Sequence, residues 1–170
     1  MRSNHPVINV HKKNNIKSEV VTQLLYGDTF KKLKKNGVWI KIKNDKDNYK
    51  GHIKNKNFQP NQKNTHKICN LSAALYSKPH SKYKIKNKLS FESKIKVSEK
   101  KGDFYKFDHL WIKKRDIKKI NFITKDPFYN IKKFVNVKYK WGGKHFGGID
   151  CSGLIQLFFN YNNKFCPRDT

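Results

Sequence analysis

No apolar stretch of this sequence approaches the roughly 18 consecutive residues that a membrane-spanning helix requires, so no membrane span is expected. The opening residues, MRSNHPVINVHKKNN, also lack the apolar core of a secretory signal, which, read from Met1, predicts a cytoplasmic chain. Cysteine is scarce. Cys69, Cys151 and Cys166 are an odd number without CxxC spacing, which argues against both a disulfide framework and a zinc site. The seven histidines form no HxH or HExxH pattern. No metal and no cofactor is expected.

Arginine and acidic residues are scarce too. Arginine occurs only at Arg2, Arg115 and Arg168, and 12 Asp and Glu stand against 39 Lys and Arg, for a formal net charge of +27. Such a charge attracts polyanions weakly and keeps a chain soluble. Proteins that read nucleic acid, however, lean on the planar arginine fork. Here the charge is lysine spread through every segment among asparagine and isoleucine, the mark of a coding bias, and no specific nucleic-acid partner is expected.

What the chain does have is 36% hydrophobic and 14% aromatic residues, enough for several small cores and too much for disorder throughout. Residues 1–15 read as a polar tail with one short extended piece at Val7 to Val10. From there the runs VVTQLLYG, TFKKL, VWIKIK and YKGHI alternate with Gly, Asn and Asp clusters, the rhythm of a small barrel over residues 16–60. A second set, ICNLSAALYS, KIKNKLSFESKIKVSEK and DFYKFDHLWIKKRDI, predicts a second barrel over residues 61–121, with NFQPNQKNTHK as linker. Both halves have a Leu-Tyr pair early (Leu25-Tyr26, Leu75-Tyr76) and a Trp-Ile pair late (Trp39-Ile40, Trp111-Ile112).

Past Ile120 the period turns helical. Asp126-Pro127 predicts a helix start, with Phe128, Ile131, Phe134 and Val135 on one face. After the glycine-rich loop KYKWGGKHFGGID, the segment CSGLIQLFFNYNNK predicts a second helix with Leu154, Ile155, Phe158 and Tyr161 as its buried stripe. Cys151 then heads that helix, where unpaired amides and the helix dipole favour a thiolate and an oxyanion. Gly147, Gly148 and Gly153 would leave a substrate backbone room to approach the sulfur. An isolated cysteine is more often a small core hydrophobe. Its neighbours decide otherwise.

Tyr139-Lys140-Trp141-Gly142-Gly143, a glycine-containing connector, and Asp150-Cys151-Ser152-Gly153-Leu154-Ile155-Gln156 together closely resemble the NlpC-type cell-wall cysteine peptidases. Pro167-Arg168-Asp169-Thr170 resembles the segment that follows the nucleophile helix in that family, and TQLLYGD and DNYKGHI resemble the first of two bacterial SH3 domains that commonly precede it. The expected fold is mainly β: two tandem SH3-like β-barrels, then the N-terminal helical part of a papain-like α+β peptidase domain over residues 122–170.

The resemblance implies that Cys151 attacks the bond between the γ-carboxyl of D-glutamate and a diamino acid in peptidoglycan peptides, with Tyr139 supporting the oxyanion. It implies that Asp150 and Ser152 bind the free amine of an N-terminal L-alanine, although Asp150 also suits a helix cap. Trp141 walls the cleft or packs on the barrels. Tyr49 and Asp28 match positions that reach toward the cleft, with turn packing as their plain alternative. Arg168 is expected to tie down the loop after the helix.

A cysteine peptidase also needs a base, usually an oriented histidine. The resemblance puts it downstream of the nucleophile helix, beyond Thr170, and His145 precedes that helix in a loop, so the chain is expected to be truncated and inactive alone. With no signal, its substrates would be imported wall fragments being recycled. The alternative is a non-catalytic protein that binds wall peptides or a partner through its SH3-like domains.

Overall fold

The computed structural model describes residues 1–168; Asp169 and Thr170, the end of the Pro-Arg-Asp-Thr segment, lie outside the described residues. Among the described residues the chain is mainly β, in open sheets rather than closed barrels, with one α-helix near its C-terminal end. No helix among the described residues is long and apolar enough to cross a membrane.

The first sheet runs β1 (Val7–His11), β2 (Val20–Leu25), β3 (Phe30–Asn36), β4 (Trp39–Asn44) and β5 (Lys50–Lys54), in the order β2-β1-β5-β4-β3. Residues 1–15 are therefore not a tail. Ile8 and Val10 sit on the inward face of β1 and belong to the same core as Leu24, Phe30, Ile40, Ile42 and Ile53. Two apolar residues at a spacing of two bury a strand face, and the short extended piece expected at Val7 to Val10 is a full member of the sheet. β3 buries only Phe30 and presents Lys31, Lys32, Lys34 and Lys35 to solvent, which discourages pairing at this exposed edge.

The second unit contains β6 (His66–Ile68), β7 (Ser72–Tyr76), β8 (Lys84–Ser90), β9 (Lys94–Ile95), β10 (Glu99–Lys101), β11 (Phe104–Phe107), β12 (Leu110–Lys113) and β13 (Ile117–Lys119). One sheet is ordered β10-β11-β12-β7-β8 and the other β13-β6-β9. Here the repeated pairs meet directly: Trp111 lies opposite Tyr76 and Ile112 opposite Leu75. In the first sheet β2 and β4 are not neighbours, so the sequence likeness of the halves does not extend to that pairing.

The two units interlock. Leu24 enters the first core, Leu25 a core shared with the C-terminal segment, and Tyr26 the second unit's core. The Tyr26 hydroxyl donates to Asp108, to which Arg2 is also ion-paired at 2.9 Å. Lys46 bridges Asp28 at 2.8 Å and Glu92 at 2.7 Å, and Lys94 joins Glu92 at 3.1 Å. Glu92 and Asp28 are buried, so each needs these partners to remain charged.

The C-terminal segment departs most from expectation. Asp126-Pro127 opens turns and a short 3-10 helix, Ile131–Phe134, rather than a regular α-helix; Phe134 is buried and Phe128 packs beside it, while Ile131 and Val135 are exposed. After β14 (Lys144–His145) and β15 (Gly148–Ile149) comes α1 (Cys151–Tyr161). Its buried stripe is Leu157, Phe158 and Tyr161 with Leu154 at the margin, and Ile155 faces out. Phe91 of the second unit stacks on Tyr161 at 4.6 Å between ring centroids. At the other end of that contact the Lys67 ammonium lies 4.5 Å above the Tyr161 ring and donates to the Tyr161 carbonyl, a cation on a helix C-terminus.

Candidate functional site

The site grows from the loop before α1. Gly142 has φ +69°, and a Cβ there would lie 2.0 Å from the Val20 carbonyl oxygen, so only glycine lets the loop lie against the start of β2. The glycines expected to admit a substrate are instead packing positions: a Cβ on Gly153 would meet the Gly143 carbonyl at 2.5 Å, and one on Gly148 the Lys140 side chain at 2.6 Å. Gly147 is likewise covered by the His145 ring.

Asp150 caps α1. One of its carboxylate oxygens accepts from the Gly153 amide at 2.7 Å, the other from the Gly142 amide at 2.8 Å. Arg168 closes on both oxygens, at 2.9 and 2.6 Å, donates to the Ser152 hydroxyl, and reaches Thr22 in β2 at 3.0 Å. Burial opposes the charge on Asp150, but the guanidinium and the two amides outweigh it and hold the carboxyl below its ordinary value. Asp150 thus fixes helix, loop and β2 together with both oxygens engaged, and Arg168 has the tying role foreseen for it.

This frame leaves Cys151 exposed at the first position of α1. The amides of Cys151 and Ser152 have no earlier helical carbonyl to bond, so they point a partial positive charge at the same end of the helix. A pocket of about 140 Å³ opens beside the thiol, lined by Tyr139, Trp141, Asp150 and Ser152 from the C-terminal segment and by Tyr49 from the turn before β5. Five of the residues named from sequence therefore gather around Cys151. Asp28 does not: it is buried at the junction of the two sheets, where its carboxylate accepts from the Leu25 amide and pairs with Lys46.

Two pocket residues were missed, Glu19 and Val21. Glu19 receives the Trp141 indole N–H at 2.7 Å and Lys12 at 3.4 Å, and these bonds hold its carboxyl below the ordinary value. An isolated Glu ahead of a strand carries no sequence signal of a site. Trp141 itself both walls the pocket and docks on the first sheet's flank, so the two readings of it coincide. No histidine lines this pocket among the described residues. His145 faces a different cavity, beside Lys140 and β1, and its Nδ1 accepts from the Gly147 amide. Among the described residues no three His, Cys, Asp or Glu side chains group to hold a metal ion.

An exposed thiol heading a capped helix, in a polar pocket closed by a β-sheet unit, is the arrangement that thiol chemistry requires. Residues 6–59 match the bacterial SH3 domain, and residues 136–170 match the NlpC/P60 family, which is one of cysteine peptidases. The chain thus carries a match to the bacterial SH3 domain near its start and a match to the NlpC/P60 family near its end, and the SH3 match includes β1. A solved NlpC/P60 family protein from Bacillus cereus ATCC 10987 is similar in fold over 99% of this chain and 74% of its own, with a TM-score of 0.83 at 17% identity. NlpC1 from Trichomonas vaginalis aligns over 99% of this chain and 63% of its own at 16% identity, with a TM-score of 0.35 that carries no argument. No curated protein sequence matches the chain.

Proposed function

We propose that the pocket beside Cys151 is the substrate site of a thiol peptidase that cuts the γ-D-glutamyl–diamino-acid bond of peptidoglycan peptides. The exposed Cys151 thiol on the capped end of α1 carries this reading. In the scheme, the thiolate adds to the γ-carbonyl carbon of D-glutamate, and the α1 amides with Tyr139 receive the oxyanion. The tetrahedral intermediate then expels the diamino acid's amine, which takes up a proton, and water hydrolyses the thioester. The pocket's small volume and the lining contributed by the first-sheet unit, Tyr49, Glu19 and Val21, favour a short peptide end over a long strand. For the free amine of an N-terminal L-alanine, Glu19 is the more accessible carboxylate: it is exposed and its bond to Lys12 is long at 3.4 Å, whereas Asp150 is buried and held by Arg168 and two amides.

Deprotonating the thiol requires a base, and no described residue in the pocket supplies a histidine. Residues 1–170 by themselves are therefore proposed to bind such peptides without turning them over. Cytoplasmic recycling of wall fragments remains part of the proposal.

Incubation of the 170-residue chain with L-Ala-γ-D-Glu-diaminopimelate separates this from the second reading, a non-catalytic protein that binds wall peptides through its SH3-like domains and not through the Cys151 pocket, which the absence of a histidine from the described lining of that pocket favours. The expected result is saturable binding that Glu19→Gln and Tyr49→Ala weaken, with no cleavage. Cleavage abolished by Cys151→Ala would reject inactivity of this chain while supporting the nucleophile. Binding indifferent to both pocket variants would move peptide recognition elsewhere.

A further inference from the structure

A strongly basic concavity lies in the second unit, and its lining shares no residue with the Cys151 pocket. It is a groove of about 620 Å³ between the β10–β11 hairpin, the end of β12 and the start of β13. Lys100, Lys113, Lys114, Arg115, Lys118 and Lys119 surround it, against a single acid, Asp103. None of the six cations makes an ion pair among the described residues, whereas every carboxylate pair in the fold is made with lysines or arginines elsewhere. Six unpaired like charges around one concavity repel each other, and low-dielectric walls focus their potential into the groove. Burial, then Lys100 and Lys119, keep His66 at its edge below the usual imidazole value and so uncharged at neutral pH.

The aromatic residues say which anion fits. Proteins that hold single-stranded nucleic acid offer bare ring faces for bases to stack on. Here the rings are taken. The Lys100 ammonium lies 5.2 Å from the Tyr105 ring centroid and the His66 ring packs against Tyr105 at 5.8 Å. Phe104 has Lys113 at 5.7 Å and the Tyr76 ring at 5.1 Å. With one arginine there is also little means of bidentate base readout. Lysines, as mobile point charges, suit phosphates that succeed one another along a flexible chain.

We propose that this groove binds a linear phosphodiester polyanion that lacks bases, of the glycerol-phosphate polymer kind, and so holds the protein on an anionic polymer. The site is independent of Cys151 and of the peptide reading.

Binding of a fluorescent poly(glycerol phosphate) to the full chain tests it, beside a single-stranded DNA of equal charge. A groove variant, Lys100→Gln/Lys114→Gln/Lys118→Gln, is compared with Lys31→Gln/Lys34→Gln/Lys35→Gln on β3, which removes the same charge from another exposed surface. The groove variant should weaken polymer binding by about tenfold or more and flatten its salt dependence, and the β3 variant by about twofold or less. All six lysines are exposed, and thermal melting checks that both variants fold. Equal losses in the two variants would reduce the effect to net charge and overturn the site. Tighter binding of the DNA than of the polymer would overturn the ligand class.

Discussion

Asp150 shows how one residue can look like a ligand and serve as a frame. From sequence it was open between capping the helix and binding an amine. In the fold it receives two amides and the bidentate Arg168, almost wholly out of water. Removing one member of such a pair leaves a buried charge uncompensated, which costs about 3–5 kcal/mol. Urea denaturation of Asp150→Ala or Arg168→Ala is expected to show a loss of that order, where a rim ligand would cost under about 1 kcal/mol. Asp28 carries a pH consequence. Burial opposes its charge, but Lys46, Lys144 and Lys94 prevail and depress its carboxyl to about 2. A carboxyl lower in the folded than in the unfolded state adds stability that is whole above its ordinary value near 4 and is lost as pH falls toward 2. Stability measured between about pH 6 and 2 should therefore fall less steeply in Asp28→Asn than in the parent chain, since that variant has no proton to take up at this position. An equal slope would remove Asp28 from the acid response.

Among the elements, strands and the nucleophile helix were legible because their patterns are short and regular. β4 alternates Ile40, Lys41 and Ile42, and α1 follows a clear cap. β1 was legible only as a short extended piece at Val7 to Val10 within an expected tail, because its place in the sheet lies in pairing with Val20–Leu25, which local pattern cannot reveal. The helix expected after Pro127 failed for the opposite reason: apolar residues at helical spacing were there, but of that face only Phe128, from the preceding turn, and Phe134, at the end of the 3-10 helix, pack on the core with α1 and Phe91. In the pocket, residues in the nucleophile motif were readable, while Glu19 and Val21 arrive through the first sheet. The loop between them depends on Gly142. Gly142→Ala should cost about 1–3 kcal/mol through its left-handed φ, and more through the clash with Val20. It should also free Trp141 from Glu19, read as a red shift in tryptophan emission; an unchanged melting temperature would contradict the close approach.

At the scale of the molecule, three small cores behave as one through the shared cluster of Leu25, Cys69, Phe91, Phe134, Ile149, Leu157, Phe158 and Tyr161. Neither sheet unit can move away without exposing it. Calorimetry should show a single transition, and Phe91→Ala, which removes the ring stacked on Tyr161, should lower stability by about 3–5 kcal/mol. Two separate transitions in the parent chain would mean that the units are independent. This rigidity is what lets Tyr49 and Glu19, from one unit, form a wall for a thiol on another.

The central claim is that Cys151 stands in a pocket made for a wall-peptide end. Its most direct test is the rate of alkylation of each cysteine with and without L-Ala-γ-D-Glu-diaminopimelate. Cys69 is buried and Cys166 half-buried, so the exposed Cys151 should label first, and saturating peptide should protect it. Labelling of Cys151 at the same rate with the peptide present would contradict the account.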